Sequence, residues 1–180
     1  VMNCFNGEKF LNETLESIFK QTYKNWELIF WDNLSTDSSK KILKKFNDER
    51  VKYFYSSDFL NLYKARNSAI QKCTGKYILF LDTDDTWVSN KIEKQVNFLQ
   101  NNLNYKIVYA NYYVKNEGSN KIKIRTNNML PYGFITKKLL SDYKLGILTV
   151  CLEKSLFKKF YFNNNYNVIG DLDFFINISL

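Results

Sequence analysis

The first hundred residues alternate short apolar runs with segments of helical period, and this order restricts the fold more than any other feature. Three apolar runs, residues 26–32, 51–55 and 76–82, have the length and composition of buried strands. The amphipathic segments around them are residues 8–21, 35–46 and 62–73. Strands that alternate with helices indicate an α/β fold with a mostly parallel central sheet flanked by helices.

The second half of the chain has a less regular pattern and predicts a smaller, irregular layer. Its expected elements are a helix over about 90–99, a strand over 106–114, a hairpin or loop through 115–128, a short helix near 135–142, a strand over 147–153 and a final helix from about Asp171.

The chain has 180 residues and 45% hydrophobic content, which is enough for one sizeable core. We therefore expect a single domain over residues 1–180. Val1 is not an initiator residue and the sequence stops inside an apolar periodic segment, so we expect a domain truncated at both ends.

Histidine is absent from the sequence, and this excludes Ser-His and Cys-His nucleophile pairs. Acid and base chemistry must then fall to carboxylates, lysine or tyrosine. Three widely spaced cysteines, Cys4, Cys73 and Cys151, indicate neither a disulfide framework nor a metal site, and a cytoplasmic location fits them best.

The net charge is +8 and comes largely from lysines in amphipathic segments, where a solvated helix face is the ordinary explanation. Such a surface also favours an anionic membrane face or a phosphorylated ligand, which leaves peripheral membrane association open. No nucleic-acid motif is present, and we expect no nucleic-acid partner.

The run at 76–82 ends in a cluster of carboxylates, Asp82, Asp84 and Asp85. Asp82 and Asp84 are two residues apart, so an extended backbone points both side chains to one face. Two close carboxylates repel unless a cation lies between them, and Mn²⁺ or Mg²⁺ suits this donor set. Asp32 ends a neighbouring apolar run, and ligands of open α/β sheets bind at such strand ends.

Two other interpretations compete for these acids. An EF-hand loop from Asp82 fails at its sixth position, where Trp87 replaces the required glycine. Alternatively, Asp84 or Asp85 starts a following helix as its N-cap.

Neither of the usual glycine-rich phosphate loops is present, so phosphate must be held by metal and cations. Arg66 is the candidate cation, because its guanidinium is planar and permanently charged. Phe5 comes directly after a predicted strand and has asparagines on both sides in "NCFNGE", so it is a candidate for stacking on a base or sugar, with core packing as the alternative.

Three segments, "CFNGEKFLNETLESIFKQTYKNWELIFWDNLSTDSSKKI", "ARNSAI" and "GKYILFLDTDDTW", together with "VIGDLDFFINIS", resemble the family 2 glycosyltransferases of the GT-A fold. The resemblance implies a metal-dependent, mostly inverting enzyme that uses a nucleotide sugar. It implies that about residues 1–100 bind a donor, which we expect to be a UDP-sugar. About residues 101–180 then form the acceptor side, for a glycan or lipid-linked glycan in polysaccharide biosynthesis.

The same resemblance assigns roles to individual residues. Asp32 would accept a hydrogen bond from uracil, Phe5 would lie along the base, and Glu8 would lie on the nucleotide side. Arg66 would meet the base or the diphosphate, Asp82 and Thr83 would approach the ribose, and Asp84, with Asp82 beside it, would hold the metal. Asp171 would be the catalytic base.

The sequence departs from the family pattern at several of these places. Asn33 and Leu34 replace an acid and a glycine, Asn3 replaces a proline, and Gly170 stands where the family often has glutamate. The base assignment therefore depends on Asp171 alone, whose alternative role is to cap the last helix. A non-catalytic nucleotide-sugar-binding module is the alternative to the enzyme.

Overall fold

Three parallel strands form the first sheet of the structure, a computed structural model that describes residues 1–119 and 121–180. They are β1 (Met2–Cys4), β2 (Leu28–Asp32) and β3 (Val51–Tyr55), with β2 in the centre. The register places Cys4 opposite Asp32, and Asp32 opposite Tyr55. The carboxyl ends of all three strands therefore lie side by side at one edge.

The remaining strands are β4 (Tyr77–Leu79), β5 (Ile107–Val108), β6 (Tyr113–Lys115), β7 (Ile122–Ile124) and β8 (Cys151–Glu153). In the second sheet β8 lies between β4 and β5 and is antiparallel to both. Val1 joins the two sheets: its amino group donates to the Leu79 carbonyl at 2.7 Å, and its carbonyl accepts from the Leu81 N–H at 3.1 Å. The strands thus follow one another in the order β3-β2-β1-β4-β8-β5.

Six α-helices of the described residues surround these strands: α1 (Leu11–Phe19), α2 (Ser39–Lys44), α3 (Leu62–Gln71), α4 (Lys91–Asn101), α5 (Thr136–Ser141) and α6 (Gly170–Ser179). Adjacent residues of β2 belong to different cores, since Phe30 packs with Leu15 of α1 and Ile29 packs in a second cluster with Ile78 and Phe174. Successive strand residues point to opposite faces, so both faces of the sheet are covered. No helix among the described residues is both long and apolar enough to cross a membrane.

The strand predicted over 106–114 is wrong in its extent. Strand structure occurs only at Ile107–Val108 and again at Tyr113–Lys115. The reason is the partner: β8 begins at Cys151, opposite Val108, and offers no further hydrogen bonds to the residues that follow. The chain then leaves the sheet and pairs β6 with β7 as an antiparallel hairpin.

The strand predicted over 147–153 is also shorter than expected. Ile147–Thr149 form a 3-10 turn, in which the Thr149 N–H and hydroxyl both donate to the Gly146 carbonyl, at 2.9 and 2.7 Å. A threonine that bonds its local backbone competes with the strand ladder. The hairpin predicted within 115–128 is present in β6 and β7, and Asn120 of that segment lies outside the described residues.

Three residues with Cβ atoms that bear on the site adopt left-handed backbone conformations, and one of them is Asn6, with φ of 53°. Leu34, with φ of 67°, stands where the family has glycine, and Ile169, with φ of 60°, directly precedes α6. The left-handed region costs an L-residue roughly 1–2 kcal/mol, and a β-branched residue is disfavoured there most.

We expect Ile169→Asn to raise the free energy of unfolding by about 1 kcal/mol, because asparagine tolerates the left-handed region. Little burial is lost, since Ile169 is 58% exposed. Thermal unfolding checks this, with an expected rise in Tm of about 2–4 °C. The matched control is Val168→Asn, at an exposed neighbour outside that region. Equal shifts in the two variants would contradict the explanation by backbone conformation.

Candidate active site

Asp32 lies at the carboxyl end of β2 and is buried, with 1% of its surface exposed. One carboxylate oxygen accepts from the Ser35 N–H at 2.8 Å, and the other accepts from the Tyr53 hydroxyl at 2.8 Å. Burial and the Asp32 carboxylate raise the pKa of Tyr53, so the phenol stays protonated and donates. A carboxylate has about four lone-pair sites, so Asp32 keeps acceptor capacity for a ligand.

The loop after β1 is joined to the loop after β2 by reciprocal hydrogen bonds. The Glu8 carboxylate accepts from the Ser38 N–H at 2.8 Å, while the Glu8 N–H donates to Asp37 at 2.9 Å. The Asn6 side-chain carbonyl accepts from the Thr36 N–H at 2.8 Å. Glu8 therefore fixes the shape of this edge, and its direct contact with a nucleotide stays a prediction.

Phe5 begins this loop and is half exposed. Its ring makes an edge-to-face contact with Phe59, at 4.8 Å between ring centroids, and Phe59 is 60% exposed. The two rings form an aromatic surface at the carboxyl edge of the sheet. Such a surface suits a planar base, and stacking on Phe5 stays a prediction.

Asn33 explains one departure from the family pattern. Its side-chain amide donates to the Leu60 carbonyl at 2.8 Å, and its oxygen accepts from the Leu60 N–H at 3.1 Å. An aspartate could accept but could not donate, and it would leave a carbonyl without its partner. The asparagine therefore holds the loop after β3 beside the end of β2.

Arg66, on α3, forms an ion pair with Asp82 at 3.0 Å. The arginine side chain is 3% exposed and the aspartate side chain 37% exposed. Its guanidinium carbon lies 5.4–5.9 Å from the ring centroids of Tyr63, Phe80 and Phe162. Arg66 thus fixes the position of Asp82 from the interior of the protein. Contact between Arg66 and a base or diphosphate stays a prediction.

The carboxylates beyond Asp82 are crowded. Asp84 is exposed, and burial, with the charges of Asp82 and Asp84, raises the pKa of Asp85 to about 6. No three acidic or cysteine side chains among residues 1–119 and 121–180 form a complete metal cage. A hard divalent cation needs only one or two carboxylates when phosphate and water supply the other ligands, so the donor set fits Mn²⁺ or Mg²⁺.

Thr83 anchors this acidic loop to the first helix. Its carbonyl accepts from the Thr14 hydroxyl at 2.8 Å. A Cβ at Gly7 would lie 3.0 Å from the Thr83 side chain, so glycine permits the close approach of the two loops. The proposed approach of Thr83 to a ribose stays a prediction.

Asp171 lies in the first turn of α6, where the helix dipole favours a carboxylate. It accepts from the Tyr143 hydroxyl at 2.9 Å. Gly170 packs on Tyr63 so closely that a Cβ there would lie 2.5 Å from a ring carbon. This contact explains why the glutamate frequent in the family is absent at this position.

Helix α3 therefore contacts both acidic segments predicted from the sequence, the one with Asp82 and the one with Asp171. Tyr63 and Arg66 are three residues apart and lie on the same face of α3. Tyr63 contacts Gly170, next to Asp171, and Arg66 contacts Asp82. Tyr53, Tyr63 and Tyr143 did not stand out in the sequence; Tyr63 alone among these three had a signal, its helical spacing from Arg66.

The comparison of the chain with known families gives its class. The profile described as Glycosyl transferase family 2 matches residues 1–165, and the chain belongs to that family. Two relatives bear this out. A UDP-Glc:alpha-D-GlcNAc-diphosphoundecaprenol beta-1,3-glucosyltransferase of Escherichia coli is 34% identical over 163 residues, which cover 90% of this chain and 62% of the relative. A putative teichuronic acid biosynthesis glycosyltransferase of Bacillus subtilis is 35% identical over 97 residues, which cover 53% of this chain and 38% of the relative.

Solved structures show the same fold, which is the GT-A fold. The structure of S. aureus TarS 1-349 in complex with UDP matches 97% of this chain and 52% of the TarS chain, with a TM-score of 0.72 and 21% identity. A Pyrobaculum calidifontis mannosyltransferase in complex with GDP-Man and Mn²⁺ matches 64% of this chain and 34% of its own, with a TM-score of 0.56 and 20% identity. The chain thus spans 62% of the length of the E. coli relative and 52% of the length of the TarS chain.

We expect Gly170→Ala to lower the free energy of unfolding by about 1–3 kcal/mol, because the added methyl group overpacks the Tyr63 ring. Chemical denaturation measures the change. Gly118→Ala is the matched control, since the nearest atom to its added Cβ is 3.6 Å away. Equal stability of the two variants would show that the Tyr63 ring yields without cost.

Proposed function

We propose that the protein is an inverting, metal-dependent glycosyltransferase that moves a sugar from a nucleotide donor, a UDP-sugar, to an acceptor hydroxyl of a glycan or lipid-linked glycan. Family membership supports the reaction class. The complexes of TarS with UDP and with UDP-GlcNAc support the donor class, and the diphosphoundecaprenol-linked acceptor named for the E. coli relative supports the acceptor class. The observation that carries the proposal is the acidic edge formed by Asp32, Asp82 and Asp84.

Each residue of this edge has a task in the proposal. Phe5 packs along the base. Asp32 accepts a hydrogen bond from an N–H of the base, since it retains acceptor sites beyond its bonds to Ser35 and Tyr53. Asp84, with Asp82, holds the divalent cation. The cation, when bound, stabilises the negative charge that develops on the departing diphosphate.

The acceptor side of the reaction falls to Asp171. Its carboxylate takes the proton of the attacking hydroxyl as the new bond to the anomeric carbon forms and the bond to the diphosphate breaks. Attack on the face opposite the leaving group inverts the anomeric centre.

The place of action follows from the proposed acceptor. With a lipid-linked acceptor, glycosyl transfer takes place at the inner face of the membrane. The net charge of +8 favours binding to such an anionic surface. The buried free thiols of Cys4, Cys73 and Cys151 agree with a reducing cytoplasm.

Calorimetric titration with UDP tests the metal and donor assignments together. We expect Mn²⁺ to strengthen UDP binding, and Asp84→Ala to remove that gain and weaken binding in Mn²⁺ more than about tenfold, since losses of tenfold or more follow even from outer-shell changes. Glu49→Ala is the control, because it removes an exposed carboxylate from the loop before β3, at the other edge of the sheet.

UDP affinity that is indifferent to Mn²⁺ and to Asp84→Ala would contradict the proposal. A thermal-shift screen of UDP-glucose, UDP-galactose, UDP-GlcNAc and GDP-mannose with Mn²⁺ identifies the donor. Tight binding of a donor with no turnover toward water or any sugar acceptor would instead support a binding module.

A further inference from the structure

Tyr143 makes the contact with Asp171 that the proposed reaction leaves unexplained. Its hydroxyl lies 2.9 Å from one carboxylate oxygen of Asp171. Burial and the nearby Asp171 charge raise the pKa of Tyr143 well above its ordinary value, so the phenol is the donor and the carboxylate the acceptor. One oxygen of Asp171 is thereby held, and the other keeps its lone pairs.

The backbone around Tyr143 fixes where this hydroxyl lies. Helices α5 and α6 pack against each other and run antiparallel. At one end the Thr136 hydroxyl donates to the Ser179 carbonyl at 2.7 Å, and at the other end Tyr143, two residues beyond α5, meets Asp171 in the first turn of α6. Two contacts at opposite ends of a helix pair set the register of one helix against the other.

Further contacts hold Tyr143 from the loops. Its carbonyl accepts from the Arg125 guanidinium at 3.3 Å, just after β7. Its ring packs against the hydrophobic core that contains Ile78, Phe80 and Phe174. The other titratable groups near Tyr143 are Tyr63 and Tyr112, and the hydroxyl of Tyr143 reaches the Asp171 carboxylate.

We propose that Tyr143 is a positioning residue for the glycosyl transfer reaction: its hydroxyl orients the Asp171 carboxylate so that the free oxygen faces the acceptor hydroxyl. This inference rests on the proposed function. A general base that is held by one oxygen loses less orientational freedom when it meets its substrate, and small misplacements of such a group reduce turnover strongly. Tyrosine supplies the donor without adding a second proton acceptor, because its own pKa is raised.

The test is hydrolysis of the donor by the protein, with water as the acceptor and Mn²⁺ present. The donor used is the one that gives the largest thermal shift in the screen of four nucleotide sugars. Release of the nucleoside diphosphate is measured. We expect Tyr143→Phe to lower kcat about tenfold with the donor KM within about twofold of wild type, since orientation contributes to the transition state and not to donor binding. Asp171→Asn keeps a side-chain acceptor for Tyr143 and lowers kcat by about 10²-fold or more, the usual contribution of a general base.

The combination of the two changes separates positioning from a structural role. In the Asp171→Asn background we expect Tyr143→Phe to cause no further loss, because there is no base left to orient. Tyr109→Phe is the matched control, since it also removes a partly buried hydroxyl that donates to a carbonyl, that of Pro131, and we expect wild-type kcat for it. Thermal unfolding of each variant confirms that it is folded.

The outcomes are distinguishable. Turnover that Asp171→Asn abolishes and Tyr143→Phe leaves at the wild-type level overturns the role of Tyr143 alone. The same loss from Tyr143→Phe in both backgrounds, or an equal loss in Tyr109→Phe, shows a structural role and also overturns it. Turnover that is indifferent to Asp171→Asn overturns the base assignment and this inference with it. Absence of turnover by the wild type with water and with every sugar acceptor tested overturns the proposed function, and this inference with it.

Discussion

A guanidinium buried beneath the edge of the sheet is the constraint on which the arrangement of the site depends. Arg66 lies among three aromatic rings, and its Nε has no hydrogen-bond partner among the described residues, so its pairing with Asp82 is the contact that offsets the loss of hydration. Removing Asp82 would leave an uncompensated charge in the interior. The position of Asp82 is therefore set by its contact with the buried Arg66 guanidinium as well as by any bound ligand.

The helix that carries this arginine connects the two halves of the chain. The Asn67 side chain donates to the Phe162 carbonyl at 2.7 Å and accepts from the Phe162 N–H at 3.1 Å, and the Asn61 side chain donates to the Asn164 carbonyl at 2.5 Å. Together with the contact between Tyr63 and Gly170, these bonds attach the segment that leads into α6 to the whole length of α3. The spacing between the strand-end acids and the candidate base is thus set by one rigid element, which is what a reaction between two bound substrates requires.

The sequence predicted those parts of the structure that depend on local pattern. The order of strands and helices in the first half follows from apolar periodicity. The strand predicted over 76–82 is wrong in its extent, because β4 ends at Leu79 and a turn at Thr83 and Asp84 replaces the extended backbone expected there. The breaks in the strands near Tyr109 and Thr149 did not follow, because they depend on where a distant partner strand begins and on local bonds to the backbone. Tyr143 was missed for a related reason: its contact spans 28 positions and joins an irregular segment to a helix, a juxtaposition that only the packing of α5 on α6 creates.

The close packing of Gly170 on Tyr63 has a consequence for how this branch of the family can diverge. A chain with glutamate at position 170 needs room that the tyrosine ring fills, so neither position can change freely while the other keeps its present residue. Restoring the common acidic pair would require a smaller residue at position 63 first, one turn from the arginine that supports Asp82. While Tyr63 keeps its place, position 170 has no room for a glutamate beside Asp171, so the composition of the first turn of α6 is tied to a residue more than a hundred positions away.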